Sequence, residues 1–468
     1  MEKLRAEIGV SFREIEQNLW NHLRDQYCRV LRESLEFLDD QIFKKRDKQR
    51  YRVRERVTRE VETLVGPVSF KRRAYIDTET GQTVYLLDEV LDLAARRRVA
   101  PGLAAVLAEL AVLSPSYREA RNATAELFGE RLVSHETIRQ ILRSAGKQLQ
   151  AQQKTRQHNP AGKRKVKVLF LEVDGFWVSL QREKKRRLEV RVLVAHEGWR
   201  SRHPRSREFE LINPLHFTWV GDPGEFWEPS AFLEAHYDLE HTVIVINGDR
   251  AFWIRQGVEW FPQALYQVDR FHLIRDLKQL LRNQPEQLKA AREAVRKSEA
   301  TTLLAVLATA AQGEKDRKLR DGLKALLADL AEIPESTRDY RVRLKEMGLD
   351  TNGYRGLGAG ESQIDRYSNR VKKRGQSWSL EGLSCMLSSL NARFAGYLKE
   401  AAQAIESRLD LLSDIRFKTS AAQVLKTLSA KTEPAFQVHL PILDHGRTTS
   451  RGCSIMLRKL SHPRPALT

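Results

Sequence analysis

The apolar positions of the chain follow two rhythms, and the points where one gives way to the other divide it into segments. Over residues 1–43, Leu4, Ile8, Phe12, Ile15, Leu19, Leu23, Tyr27, Val30, Leu35, Leu38 and Ile42 recur mostly at intervals of three and four, the period of one long amphipathic helix. The stripe is not a strict heptad, so a helix packed on its own domain is expected ahead of a dimerisation helix. A basic run, Lys44 to Arg56, follows and suits a solvated face or a phosphate-contacting segment. The runs VETLVGPVSFKRRAYID and TVYLLDEV, punctuated by Gly66-Pro67 and Gly81, then predict a small β-hairpin or meander carrying Lys71, Arg72 and Arg73.

Between 101 and 150 the helical period returns. Pro101 opens one helix. Ser114 is expected to cap a second, with Pro115 at its first position, and Ser134 a third. The third helix has an apolar face of Ile138, Ile141, Leu142, Ala145 and Leu149, and a basic stripe of Arg139, Arg143 and Lys147. Such a helix after a short turn fits a helix-turn-helix unit that reads a DNA major groove, or an ordinary trihelical bundle with a solvated face. A polar linker, AQQKTRQHNPAGKR, marks a boundary.

From residue 165 the pattern becomes strand-like. VKVLFLEVDGFWVSLQ, RLEVRVLVAHEGW and FELINPLHFTWVG read as three strands, EFWEPSAFLEAHYDL as a helix, and the continuous apolar run HTVIVINGD as a fully buried strand. AFWIRQGVEWF predicts a helix, ALYQVD a strand and FHLIRDLKQLLR a helix. Three antiparallel-type strands followed by alternating helices and strands is the order of an RNase H-like α/β domain. The expected divisions are 1–57 (helix and basic segment), 58–95 (small β region), 96–158 (helix-turn-helix-like unit), 164–282 with 346–398 (RNase H-like domain), 283–345 (helical insertion) and 399–468 (helical basic region).

Charge then narrows the partner. The chain has 468 residues, 41% hydrophobic content and a net charge of +19, so several globular domains and a polyanionic partner, first of all nucleic acid, are expected. Cys28, Cys385 and Cys453 form no CxxC pair, which speaks against a zinc ribbon and for a reducing compartment. The start, MEKLRAEIGV, is not a signal peptide, and no apolar run is long enough to span a bilayer. A cytoplasmic, nucleoid-associated protein is therefore expected.

Against this basic background two acids close two apolar strands, Asp174 after VLFLEV and Asp249 after VIVING. In an RNase H-like sheet those strands are neighbours, and like charges that close repel unless a cation joins them. Carboxylates are hard ligands suited to Mg²⁺ or Mn²⁺, and two such ions about 4 Å apart serve phosphodiester cleavage. Glu361, opening a helix after LGAG, is the best third carboxylate. Asp365 rivals it, and Glu172 rivals Asp174. An Asp before Gly is also a common turn residue, and a helix-start Glu is favoured by the dipole alone. Asp269 and His272 form an Asp-x-x-His pair that either supports the site or is a helix cap with a packed imidazole.

At these residues the chain resembles a known family. VDGFWVSLQ, VIVINGDRAFWI, YQVDRFHLIRDL and GLGAGESQIDRYSNRVKKRGQSWSLEGL look like segments of the ISLre2 family of bacterial insertion-sequence transposases, distant relatives of the Mutator-like DDE transposases. REVETLVGPVSFKRRAYID and VYLLDEVLDL are similar to that family's leading region, so the resemblance covers roughly residues 55 to 395. It implies a DDE triad of Asp174, Asp249 and Glu361 and a cofactor of Mg²⁺ or Mn²⁺. Its substrates would be double-stranded element ends and target DNA, bound by a homo-oligomer. It matches Asp269 and His272 to the family's Asp/Cys-x-x-His element, and puts Arg370, Lys373, Arg374 and Trp378 in a basic helix beside the DNA backbone. Arg250 departs from the Gly expected after Asp249 and adds bulk and charge beside the site. Three functions compete on these grounds: a transposase, a DNA-binding protein without catalysis, and an RNase H-like nuclease.

Overall fold

A computed structural model describes residues 11–403 except 92, 94–96, 130, 157–162, 205, 207 and 228–230. Leu4 and Ile8, and the predicted basic region beyond residue 403 with Cys453, lie outside the described residues.

The chain opens with α1 (Phe12–Lys45), started by a capping box in which Ser11 and Glu14 satisfy each other's backbone N–H groups. It leads into an antiparallel sheet of β1 (Tyr51–Glu62), β2 (Pro67–Asp77) and β3 (Thr83–Val84), followed by the short α2 (Leu86–Val90). The second half of α1 packs on this sheet, with Ile42 against Phe70, Tyr75, Leu86 and Leu87. The first half does not. Phe12, Ile15, Leu19, Leu23 and Tyr27 are exposed, on a side of the helix roughly a third of a turn from the packed side. Packing on the helix's own domain thus accounts for only half of the predicted stripe.

Three helices follow: α3 (Pro101–Leu113), α4 (Tyr117–Phe128) and α5 (His135–Arg156). The cap of α4 is Ser116, whose hydroxyl accepts from the Glu119 N–H, while Ser114 closes α3. The expected cap at Ser114 is therefore two residues early. α5 also runs on into the expected polar linker.

The mixed sheet holds β4 (Val168–Leu180), β5 (Arg187–His196), β8 (Leu215–Trp219), β9 (Val243–Gly248) and β10 (Ala264–Val268), ordered β10-β9-β4-β5-β8. β4, β5 and β8 are antiparallel neighbours; β9 and β10 run parallel to β4. A separate pair, β6 (Trp199–Ser201) and β7 (Phe209–Leu211), lies off this sheet, so FELINPLHFTWVG divides between two sheets at Asn213, whose φ is +49°. Two predicted helices shrink to single turns, α6 (Ala231–Glu234) and α7 (Phe252–Arg255). After α7, Gly257 lies against the Trp227 indole, where a Cβ would come within 2.4 Å of the ring.

Next come α8 (Arg270–Leu280), α9 (Pro285–Lys297), α10 (Ala300–Gly313), α11 (Arg317–Glu332) and α12 (Tyr340–Glu346). The chain then returns to the sheet through α13 (Ala359–Val371), the short β11 (Ser377–Trp378) beside β4, α14 (Leu380–Phe394) and α15 (Leu398–Gln403). Alternation along the strands splits the core. Leu169, Leu171 and Val173 of β4 join the α8–α11 side, while Phe176 and Val178 join α3, α5, α13 and α14. On this second face of β4 the sequence reads Phe170, Glu172, Asp174, Phe176: two acids between two apolar clusters.

Candidate metal centre

Asp174 does not end its strand, as the sequence suggested. β4 continues to Leu180 because its antiparallel partner β5 continues beside it. What ends is the parallel pairing with β9, whose last matched residues are Val173 and Gly248. Asp174 and Asp249 are each the next residue beyond that point. Gly248 permits the close approach: a Cβ there would meet the Val173 carbonyl oxygen at 2.6 Å.

The Asp174 carboxyl accepts the Gly175 N–H at 2.7 Å. Burial pushes it up to about 6, the Gly175 N–H opposes the rise, and the Asp249 and Glu361 carboxylates add to it. Asp249 accepts the Ala251 N–H at 2.9 Å, and its backbone carbonyl takes the Tyr266 hydroxyl at 2.6 Å. Glu361 reaches the same edge from the first turn of α13. Its Oε1 lies 3.2 Å from His272 Nε2, and His272 Nδ1 lies 3.2 Å from Asp269 Oδ1. Asp269 raises the His272 pKa, with Asp174 adding to it, so the imidazole is held toward its charged form. Burial alone would raise Asp269, but His272 and Asn247 outweigh it and hold the carboxyl low.

One ligand atom each from Asp174, His272 and Glu361 lies within 4.8 Å of the other two. The structure thus brings together two of the three predicted carboxylates, with His272 in the closest set and Asp249 turned toward its own loop. The donors fit a divalent cation: a half-buried Asp174, whose proton affinity the neighbouring carboxylates help to raise, would be relieved by positive charge shared with the exposed Glu361. Neutral imidazole would suit Mn²⁺ better than Mg²⁺, whereas an imidazolium does not ligate and instead supplies charge.

Glu172, the rival for the first position, is fully engaged. It is 1% exposed and accepts the Gly358 N–H at 3.1 Å, the Gly360 N–H at 3.4 Å and Asn247 Nδ2 at 2.8 Å. Asn247 also donates to Asp269 Oδ2 at 3.0 Å. Glu172 therefore ties the start of α13 to β4, and Asn247 ties Glu172 to the Asp269–His272 pair. The positive φ of Gly358, +142°, is what turns its N–H onto Glu172. Sequence reasoning gave neither residue this role. The available signal was a polar side chain inside each of two apolar runs, VLFLEV and VIVING. Asp365, the rival for the third position, is exposed and pairs with Lys373. Arg250 turns away from the acids, with NH2 2.9 Å from Asp276 and Nε 3.4 Å from Asp329. Its charge is spent on α8 and α11 rather than beside Asp174.

The expected DNA-contacting residues fare unevenly. Arg370 and Trp378 are buried, which removes them from contact in this conformation. Arg370 Nε donates to the Ala111 carbonyl at 3.1 Å, and Trp378 Nε1 to that of Val371 at 2.9 Å. Lys373 pairs with Asp365, and Arg374 is exposed. On α5, Arg139 is bound by Glu136 on its own helix, and Arg143 and Lys147 both pair with Glu381 of α14. Gly146 on the same side lies against Cys385, where a Cβ would meet its backbone at 2.7 Å. Two of the three residues of the expected stripe, Arg143 and Lys147, thus meet α14 through one exposed carboxylate.

Among known proteins, residues 5–408 match the model of an uncharacterised protein family, UPF0236. A UPF0236 protein from the vanSb 3′ region of Streptococcus gallolyticus is 28% identical over 82% of this chain and 83% of its own length. A UPF0236 protein of Caldanaerobacter subterraneus subsp. tengcongensis is 24% identical over 74% of this chain and 70% of its own. The strand transfer complex of the Drosophila P element transposase aligns with 67% of this chain and 82% of its own at 11% identity and a TM-score of 0.25. At that score the likeness bears on neither fold nor function. The chain belongs to the UPF0236 family.

Proposed function

We propose that the chain is a DNA transposase of the DDE type, whose catalytic domain is an RNase H-like fold interrupted by the helices α9–α12. The observation that carries this reading is the convergence of Asp174 and Glu361 beside His272, with Asp249 just past the end of the neighbouring strand β9. The strand order β10-β9-β4-β5-β8, antiparallel on one side and parallel on the other, supports the fold. The resemblance of the chain's motifs to those of ISLre2 transposases supports the reaction class and the partner, double-stranded DNA.

Asp174 and Glu361 would hold a Mg²⁺ or Mn²⁺ ion, with Asp249 turning in to complete the set. When bound, the ion supplies activation of a water or 3′-hydroxyl for attack on phosphorus and neutralises the departing 3′-oxygen. The remaining work falls to the chain. Glu172 fixes the start of α13, and so the position of Glu361, through the Gly358 and Gly360 N–H groups. His272 lies between Asp269 and Glu361, 3.2 Å from each, and would place its charge beside Glu361. The exposed stripe of α1, with Phe12, Ile15, Leu19 and Leu23, supports assembly of a homo-oligomer on DNA.

The test is strand transfer from a plasmid carrying the coding sequence with its native flanks. Asp174→Asn is expected to abolish Mg²⁺-dependent cleavage and joining while leaving DNA retention on a gel unchanged. Unaltered strand transfer would overturn the assignment. Cleavage by the wild type without joining would favour the nuclease reading.

A further inference from the structure

A second cluster of charge lies far from the acids in sequence, on the N-terminal sheet. Thr58, Arg59 and Glu60 of β1, Arg72 of β2, and Arg97 and Arg98 line an open pocket of about 540 Å³. Backbone pairing fixes its two walls: the Glu62 N–H donates to the Arg98 carbonyl at 2.6 Å, and the Ala100 N–H to the Glu62 carbonyl at 2.9 Å. Arg59 also reaches across to the Arg97 carbonyl at 3.0 Å.

Among the described residues, four arginines of the lining stand against one carboxylate of the lining, Glu60. Arg59 and Arg72 share one acid, Asp88, from which Arg72 NH1 is 3.1 Å away. Arg72 is 9% exposed and lies 3.6 Å over the Tyr85 ring, yet its Nε has no hydrogen-bond partner. Arg97 is half-buried, and burial lowers its pKa with no acid opposing the shift. Among the described residues no carboxylate pairs with Arg97 or Arg98. Burying a guanidinium without a counter-charge is costly, so the arrangement calls for an anion. Arginine forks match the paired oxygens of phosphate, and stacking on Tyr85 presets one of them.

We propose that this pocket binds a phosphate group, with Arg72 as its buried fork and Arg97 and Arg98 as its free ones. The source is either a backbone phosphate of bound DNA or a free pyrophosphate-bearing molecule. The site is separate from the carboxylate cluster, and its test reads binding alone, so loss of the transposase reading would leave it standing.

The experiment uses the full chain and the double variant Arg97→Gln/Arg98→Gln, whose side chains carry no ion pair among the described residues. Binding of a short DNA duplex is followed by fluorescence anisotropy across a salt series, and binding of inorganic pyrophosphate by calorimetry. If the phosphate belongs to DNA, the variant's salt slope shrinks by about one per arginine lost and its low-salt affinity falls about tenfold or more. If it belongs to a free molecule, pyrophosphate binds the wild type and raises its melting temperature, the variant loses both effects, and the duplex slope is unchanged. Arg72→Gln should move the same readout in the same direction. A variant that matches the wild type with both probes would overturn the proposal.

Discussion

The carboxylate cluster and the arginine pocket set the same physical problem with opposite signs. At the edge of the mixed sheet, Asp174 and Glu361 come together with Asp249 nearby, and among the described residues His272 is the positive group in the closest set. On the N-terminal sheet, Arg59, Arg72, Arg97 and Arg98 gather, and Asp88 is the buried acid among them. In each region one residue of the opposite sign is fixed by the fold and charge of the prevailing sign is left over. The difference lies in rigidity. The start of α13, and with it Glu361, is tied to β4 and to the Asp269–His272 pair by hydrogen bonds through Glu172 and Asn247, which suits a ligand whose geometry must be set closely. The arginines rest on one shared carboxylate and a ring, which suits a phosphate whose place along a polymer is less strictly set.

Removing the fixed counter-charge breaks the comparison most severely. Asp88→Asn leaves Arg59 and Arg72 buried without their acid and should lower stability by about 4 kcal/mol in a denaturant titration. Glu172→Gln keeps the shape of the side chain but sets an amide N–H against backbone N–H groups. It should cost about 3 kcal/mol and weaken divalent-cation affinity without deleting a ligand. An unchanged melting curve in either variant would show that its counter-charge is not what the fold depends on.

A pH series separates the two regions next. The folded pKa of Asp174, about 6, stands above its ordinary value of 3.8, so protonation favours the folded chain. That contribution is fully present below about 4 and is lost as pH rises through about 6. His272, also raised, acts with the same sign. In the presence of chelator, Asp174→Asn should therefore be more stable than the wild type at pH 7 by about 2 kcal/mol, with the gap closing toward pH 4. A gap that widened on acidification would reverse the sign of the argument. The smallest effect is expected on α5, where Arg143→Ala with Lys147→Ala removes pairs to Glu381 at the surface. Duplex affinity and its salt slope should be nearly unchanged, because Arg143 and Lys147 are already paired with Glu381; a large loss would support α5 as the reading helix.

Much of this was legible in the sequence. An acid inside the run VKVLFLEVD stands out because it costs energy wherever a strand is buried, and so does the Asp after VIVING. The mixed α/β order followed from runs of period two alternating with runs of period three and four. Direction of side chains was not legible. Arg370 and Trp378 sit in a basic segment that reads as surface, yet α13 and β11 turn them inward onto the Ala111 and Val371 carbonyls. Pairing across distant segments was equally hidden. Glu172 meets Asn247 only because β4 and β9 are in that register, and Arg143 meets Glu381 only because α5 packs along α14. The arginine pocket needed both kinds of information, since Arg59, Arg72 and Arg97 come from three segments that only the fold brings together.

Binding of Mn²⁺ to the full chain, followed by its electron paramagnetic resonance signal near neutral pH, tests the central claim most directly. The wild type should bind, and Asp174→Asn and Glu361→Gln should each weaken binding about tenfold or more, as loss of one carboxylate ligand does. Asp365→Asn, one helical turn from Glu361 and paired with Lys373, should bind as the wild type does. Equal affinity in all four proteins would contradict the account.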